Sequence, residues 1–429
     1  MRNYSDIIFA LSTNKAKSAL AVFRISGKKS ISSFLQLINI KKIEIKKPSI
    51  CYILDNNKNK IDKVVVTAFK SPKSYTGEDM IEISSHGSIA VINKITAILI
   101  SNNFRPALPG EFTKRALINN KIGVLEAETI NEIINSETEN QRKLAIGNFG
   151  GKREGFIEEI SKKIMKLLAN VEAIIDFADE DLPKNLYKEI MEQKENIVKE
   201  LDKTIYNSLL SKNINTGYKI TVIGKPNTGK SSFINFINNK EISIVTSIPG
   251  TTTDVVSSVL EISGNKYIFY DTAGIRKHRN IIEKIGIEKT LKNVEISDLN
   301  LIFLENDEKN NYSNIKNKIF VKSKHDIYKS KVPGAHNISS KSGYGIKSLL
   351  NKIVRKTYSD TINEPTFSRE RHLESLKKAH ICLKRVNLNK IDISAENIRS
   401  SLIHIQGINQ KIDIEKILDI IFSEFCIGK

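Results

Sequence analysis

The spacing of apolar residues divides the chain into blocks of different period. In residues 1–118, short apolar runs alternate with turns, so Ser18–Ile25, Cys51–Leu54 and Val64–Phe69 read as strands, with Asn56–Lys60 a polar turn. Ile89–Asn102 sets Ile89, Ile92, Ile95, Ile98 and Leu99 on one helical face, completing a compact α+β domain. Two glycine-punctuated polar stretches interrupt it: Ser74–Asp79, leading to Glu82 and His86, and Pro109–Arg115. Taken alone, Glu82 and Arg115 read there as ordinary surface residues before functional ones.

From Lys121 to about Lys212 the period becomes 3.6, with stripes through Leu125, Ile130 and Ile133, then through Ile157, Ile160, Ile164 and Leu167. Gly147–Gly151 and Leu182–Pro183 break these stripes, which predicts several long antiparallel helices. Strand–helix alternation returns over 215–358: strands at Tyr218–Ile223, Ser258–Ile262, Lys266–Tyr270, Asn300–Leu304 and Lys318–Val321, helices at Lys230–Asn239 and Gly345–Lys356. That alternation predicts a doubly wound sheet. Helical spacing resumes through Leu373–Leu388, Ala395–Ile405 and Ile412–Phe422. The expected organisation is multidomain, α/β and α: an N-terminal α+β domain (1–118), a helical domain in two halves (119–214 and 359–429), and an α/β domain (215–358) inserted between them.

Chemistry enters at Gly224-x-x-x-x-Gly229-Lys230-Ser231, which follows a predicted strand and opens a predicted helix. That is the P-loop pattern, in which backbone N–H groups curl around phosphate oxygens at a helix N-terminus. Lys230 would reach the β- and γ-phosphates and Ser231 would ligate Mg²⁺. A threonine of Gly250–Asp254, about twenty residues on, can complete the Mg²⁺ shell. Asp271-Thr272-Ala273-Gly274 follows the next strand, placing a carboxylate at its carboxyl edge and an amide near the γ-phosphate. Ser323-Lys324-His325-Asp326 follows another, where Asp326 can pair with N1–H and the exocyclic amine of guanine. Ser339, Ser340 and Lys341 can meet the base from the loop beyond. Four motifs in this order, each at a strand end, identify a GTP site. Ile275 stands where Ras-like switches carry a water-orienting Gln, and Glu283 is a candidate replacement.

Composition narrows the setting. The chain has 429 residues, too many for one core. No apolar run reaches the ~18 residues of a membrane span and no leader pattern opens the chain, so a cytoplasmic, membrane-free protein is expected. Three cysteines, none in CxxC spacing, exclude a disulfide scaffold and a zinc knuckle. The net charge of +19 suits an RNA partner, but Lys, Ile and Asn are in excess throughout, as drift in an AT-rich genome would produce.

Taken together, the chain resembles the MnmE (TrmE) family of tRNA modification GTPases over nearly its whole length. The resemblance rests on SYTGEDMIEISSHG at 74–87, PGEFTKRALINNKI at 109–122, GKPNTGKSS at 224–232, DTAGIR at 271–276 and the terminal FCIGK. It implies a homodimer joined through a folate-binding N-terminal domain. It also implies an FAD-dependent partner, MnmG, in a heterotetramer that adds a carboxymethylaminomethyl-type group at C5 of the wobble uridine. The one-carbon unit would come from 5,10-methylenetetrahydrofolate or 5-formyltetrahydrofolate. Arg24, Glu82 and Lys121 would contact the folate, with Lys429 nearby and Cys426 taking part in the modification step. In the GTP site the resemblance implies that K⁺ replaces an arginine finger. Asn227 would be one ligand, with carbonyls of Thr246, Ile248 and Thr251 as others. Thr228, Gly229, Lys230, Ser231 and Ser232 would hold phosphates and Mg²⁺ from the P-loop; Ser247, Pro249, Gly250 and Thr252 would face them from the following loop, with Thr252 on the Mg²⁺. Glu283 would orient the attacking water.

Several positions depart from the family pattern. Ser323 stands for the Asn of NKxD, Thr253 for the Arg of GTTRD, and Ser88 for the second glycine of HGG; Asn14–Lys17 lacks the glycine-rich turn and Gln406–Asn409 departs from TGE. A shorter brace at Ser323 is expected to weaken guanine affinity. Two rivals fit the GTP motifs: a ribosome-assembly GTPase that binds rRNA, and a nucleotide-gated scaffold. The first has no need of the N-terminal motifs or the CIGK tail, whereas Ser323 and Thr253 favour the second.

Overall fold

A computed structural model describes residues 6–176, 185–239, 257–271, 296–328, 332–358, 365–409 and 428. The expected helix at Ile412–Phe422 and the break at Leu182–Pro183 lie outside them. The chain forms two compact units: Met1–Asn131 with Phe149–Lys162 and Ile403–Lys429, and Glu132–Asn148 with Lys163–Leu402.

The first unit is built on six strands in the order β3-β4-β5-β2-β1-β6. These are β1 (Ile8–Leu11), β2 (Ser18–Ser26), β3 (Ser49–Leu54), β4 (Lys60–Phe69), β5 (Met80–Gly87) and β6 (Arg105–Pro106). All neighbours pair antiparallel except β1 and β6. Its helices are α1 (Ser30–Phe34), α2 (Ile89–Ser101), α3 (Glu111–Ile118) and most of α4 (Val124–Ile134). Phe23, Ile25, Val64, Val66, Ile81 and Ile83 pack with Ile92, Ile95 and Leu99 of α2 as the core. Strand β5 runs through a stretch whose sequence reads as polar, because Glu82, Ser84 and His86 alternate with buried Ile81, Ile83 and Ser85. The second polar stretch forms α3, with Phe112, Ala116 and Leu117 buried.

In the second unit, α5 (Glu139–Asn148) opens on a capping box: Gln141 Oε1 accepts from the amides of Glu137 and Thr138. The first helical stripe is therefore two helices, broken at 135–138. The part of the long helix α6 (Lys152–Asp176) that lies in this unit, from Lys163 on, runs antiparallel to α7 (Leu186–Thr216), since Lys163 pairs with Glu200 and Asn170 with Gln193. The second sheet has the order β12-β11-β10-β7-β9-β8. Its strands are β7 (Tyr218–Gly224), β8 (Ser257–Ile262), β9 (Asn265–Asp271), β10 (Leu299–Phe303), β11 (Lys318–Lys322) and β12 (His336–Asn337). All neighbours are parallel except β8 and β9. Helix α8 (Lys230–Asn239) buries Phe233, Ile234 and Ile237 on it, and α9 (Ile346–Thr357) buries Ile346, Leu349, Leu350 and Ile353. This is the doubly wound sheet expected from the alternation.

The chain then returns to helices α10 (Glu370–Lys384) and α11 (Ile391–Asn409). Helix α10 lies antiparallel to α7, with Lys212 on Glu370 and Asp202 on His380. Segments far apart in sequence are thus joined, as Asn148 also joins them by accepting from the Thr366 amide.

Candidate functional site

The P-loop leaves β7, the fourth strand from the β12 edge; Asp271 ends β9, and the loops that hold Ser323 and Ser339 follow the carboxyl ends of β11 and β12. Asn227 at φ 61° and Gly229 at φ 92° turn the backbone between β7 and α8. Two glycines are also required for space. A Cβ on Gly224 would stand 2.5 Å from the Phe303 carbonyl, and one on Gly229 2.5 Å from Ser323 Oγ. Lys230 is buried, and its Nζ donates to the carbonyls of Gly224 and Lys225 at 2.8 and 2.6 Å. Thr228 Oγ1 donates to the Lys225 carbonyl at 2.8 Å, bracing the same turn. Ser231 and Ser232 are exposed in the first turn of α8, and the Asn227 side chain is exposed. A glycine-tight cradle with an inward lysine and two hydroxyls at a helix start fits a phosphate chain with its Mg²⁺.

At the base end, Ser339 Oγ donates to Asp326 Oδ1 at 2.6 Å. That bond, with the charges of Lys341 and His325, holds the Asp326 carboxyl below its ordinary range. The group is an acceptor at neutral pH, as guanine recognition needs. Ser323 Oγ donates to the Thr228 carbonyl, so the loop after β11 is tied to the P-loop despite the missing Asn side chain. Lys324 adopts φ 59°, Ser340 is half-buried and Lys341 is exposed. Two features escaped the sequence reading. The rings of His325 and Tyr344 stack at 4.6 Å, buttressing this loop, and Lys225 pairs with Glu308 at 2.7 Å across the P-loop. Neither partner is near the other in sequence, so no local pattern announces them.

Asp271 ends β9, its backbone paired beside Val222 of β7. Thr246, Ser247, Ile248, Pro249, Gly250, Thr251, Thr252, Thr272, Ala273, Gly274 and Glu283 lie outside the described residues, as do Cys426 and Lys429. Among the described residues, no three His, Cys, Asp or Glu side chains cluster as a metal site.

The first unit brings a second set together. Arg24 of β2 and Glu82 of β5 are register partners, and Arg24 Nε meets Glu82 Oε1 at 2.8 Å. Arg24 Nη1 and Ser12 Oγ both approach the carbonyl of Gly428, at 3.4 and 3.3 Å. Gly428 sits at φ 101°, where a Cβ would stand 2.9 Å from Ser12, so this glycine of the tail is required by fit. Lys121 is exposed, and its stem passes so close to Gly77 that a Cβ there would come within 3.1 Å. Tyr75 lies beside this group: burial raises its phenol, while the hydrogen bond with Thr113 and the charge of Arg24 oppose the rise. Arg24 and Glu82 thus form a partly buried pair of opposite charges against the Gly428 carbonyl.

Arg115 is a correction to the surface reading. It is 1% exposed, and its guanidinium donates to the Asp6 carbonyl and to carboxylates of Asp6, Glu78 and Glu111. It stitches α3 to the sheet's edge and is structural. Cys51 is also buried, and burial pushes its thiol up to about 11, so it is no nucleophile at neutral pH. No helix among the described residues is long and apolar enough to cross a membrane.

Comparison with known proteins covers the whole chain. A family model described as the MnmE helical domain matches residues 124–426, and one described as the GTP-binding protein TrmE N-terminus matches residues 7–121. The tRNA modification GTPase MnmE of Fervidobacterium nodosum is 37% identical over 451 residues, covering 99% of this chain and 98% of that protein. The proteins of the same name from Caldicellulosiruptor saccharolyticus and Rickettsia akari are 34% and 35% identical. Each alignment covers 99% of this chain, with 99% and 100% of the respective relatives.

Proposed function

The chain belongs to the MnmE family of tRNA modification GTPases, and from that premise we propose a K⁺-dependent GTP hydrolase that modifies the wobble uridine of certain tRNAs. The observation that carries the nucleotide half is the convergence of Lys230, Ser323 and Asp326 at one end of the sheet, with Ser339 fixing the Asp326 acceptor. Lys230 neutralises charge on the β- and γ-phosphates, and Ser231 with Thr252 holds Mg²⁺. Asn227 and the carbonyls of Thr246, Ile248 and Thr251 hold K⁺, which supplies the charge compensation an arginine finger gives elsewhere. Glu283 orients the attacking water in place of the missing Gln.

The modification half belongs to the N-terminal set. Arg24, Glu82, Lys121 and Lys429 hold a tetrahydrofolate carrying the one-carbon unit, and Cys426 serves the modification step beside it. The Arg24 contact with the Gly428 carbonyl supports this reading, because Gly428 precedes Lys429 and follows Cys426 by two residues in the chain. A homodimer through residues 1–118 works with FAD-dependent MnmG. The chain is organised as 1–118, 119–214 with 359–429, and an inserted GTPase domain at 215–358.

Measuring GTP hydrolysis in K⁺ against Na⁺ at equal ionic strength tests the site. Faster turnover in K⁺ is expected, with the difference lost in Asn227→Ala. Equal rates in the two salts would remove K⁺ from the mechanism.

A further inference from the structure

Helix α9 carries a feature that nucleotide binding does not use. Its inner face buries Ile346, Leu349, Leu350 and Ile353. Its outer face, with the turn before it, walls a groove of about 740 Å³ lined by His336, Lys347, Ser348, Asn351, Lys352 and Arg355 among others, with no carboxylate. The whole helix, IKSLLNKIVRKT, has four cations and no acid. Uniform lysine enrichment does not account for this. Helix α7, in the same unit, interleaves glutamates with its lysines, as a solvated helix does.

The cations of the groove are also unspent. Lys347, Lys352 and Arg355 are exposed, and none makes an ion pair or hydrogen bond among the described residues. Arg355 in the last turn complements the helix dipole, but Lys347 sits in the first turn, where a cation opposes it. Lys347 is therefore not placed there for helix stability. From Lys347 to Arg355 the helix rises about 12 Å, enough to meet successive phosphates of one strand.

We propose that this groove binds the phosphate backbone of RNA, and that it is a tRNA contact on the GTPase domain itself. The proposal rests on the tRNA reading given above and adds a surface to it. It would place RNA within a few residues of the loop that holds Ser339 and Lys341.

The test is a titration of the full chain with an unmodified tRNA transcript over a range of salt. The triple variant Lys347→Gln, Lys352→Gln, Arg355→Gln should lose about tenfold or more in affinity, and the slope of log K against log salt should flatten by about two to three. Its GTP turnover and thermal midpoint should match the wild type. A control triple at other exposed lysines, Lys28→Gln, Lys42→Gln, Lys166→Gln, should change affinity by less than about twofold, the difference between a built contact and diffuse charge. Equal losses in both triples would overturn the groove in favour of diffuse attraction. Unchanged tRNA binding in the first triple would overturn the groove alone. No tRNA binding by the wild type would overturn the tRNA reading together with it.

Discussion

Ser323 Oγ donates its hydrogen bond to the carbonyl of Thr228, so the loop after β11 and the P-loop are tied by one side chain. A shorter residue than Asn makes this contact because Gly229 leaves room for it: a Cβ on Gly229 would stand 2.5 Å from the same oxygen. The departure at Ser323 is therefore accommodated by packing, and one hydrogen bond joins the two ends of the nucleotide site.

Ser323→Ala should weaken GTP binding. The variant leaves the Thr228 carbonyl without its donor, a stability loss of about 1–3 kcal/mol for a buried group, of which the part needed to re-order the loop around GTP lowers affinity, by at most roughly 150-fold. Fluorescent nucleotide titration measures this, and unchanged affinity would show that the tie does not matter for binding.

Asp326→Asn should change which base is preferred. The acceptor that Ser339 orients becomes an amide, which can donate to the 2-carbonyl of xanthine but no longer accepts two bonds from guanine. Competition between GTP and XTP should shift by about tenfold or more toward XTP. Retained GTP preference would move recognition to another residue.

Arg24→Lys should abolish folate binding while leaving GTP turnover intact. Lysine keeps the charge but cannot hold Glu82 and the Gly428 carbonyl together with one planar fork. Calorimetric titration with 5-formyltetrahydrofolate reads the first effect and phosphate release the second. Tight folate binding by this variant would place the pocket elsewhere.

Acid should destabilise the first unit through Glu111. Burial pulls its carboxyl upward, but the hydrogen bonds from Arg105 and the Leu108 amide, with the charges of Arg105 and Arg115, hold it below its ordinary value. A depressed folded-state value means that this stabilisation is present above about pH 4.5 and is lost as pH falls through the lower folded value. The thermal midpoint should drop below that pH, and more shallowly in Glu111→Gln, which has no charge to lose. Parallel slopes would assign the acid lability to other carboxylates.

The GTPase sheet could be read residue by residue along the chain, because its signals are local. A strand, a glycine turn and a lysine at a helix start are contiguous, and α8 and α9 announce themselves by a 3.6 period. The same reading misjudged stretches whose meaning depends on distant partners. Strand β5 alternates Glu82, Ser84 and His86 with buried residues, and only its neighbours β2 and β4 make that alternation a strand. Arg115 reads as surface until Asp6 and Glu78 close on it from 109 and 37 residues away.

The amino-acid order alone determined the fold class and the GTP motifs, which are written in local spacing, and carried the family resemblance in contiguous motif residues; all of these are legible without contacts. Tertiary structure decided which charges are structural and which have no partner among the described residues: Arg115 is neutralised inside the first unit, whereas Lys347, Lys352 and Arg355 line a groove. It also decided that Gly428 meets Arg24 across a separation of 404 residues. Such pairings follow from burial and chain closure, which no local pattern encodes, so they exist only once the sheets and helices have packed.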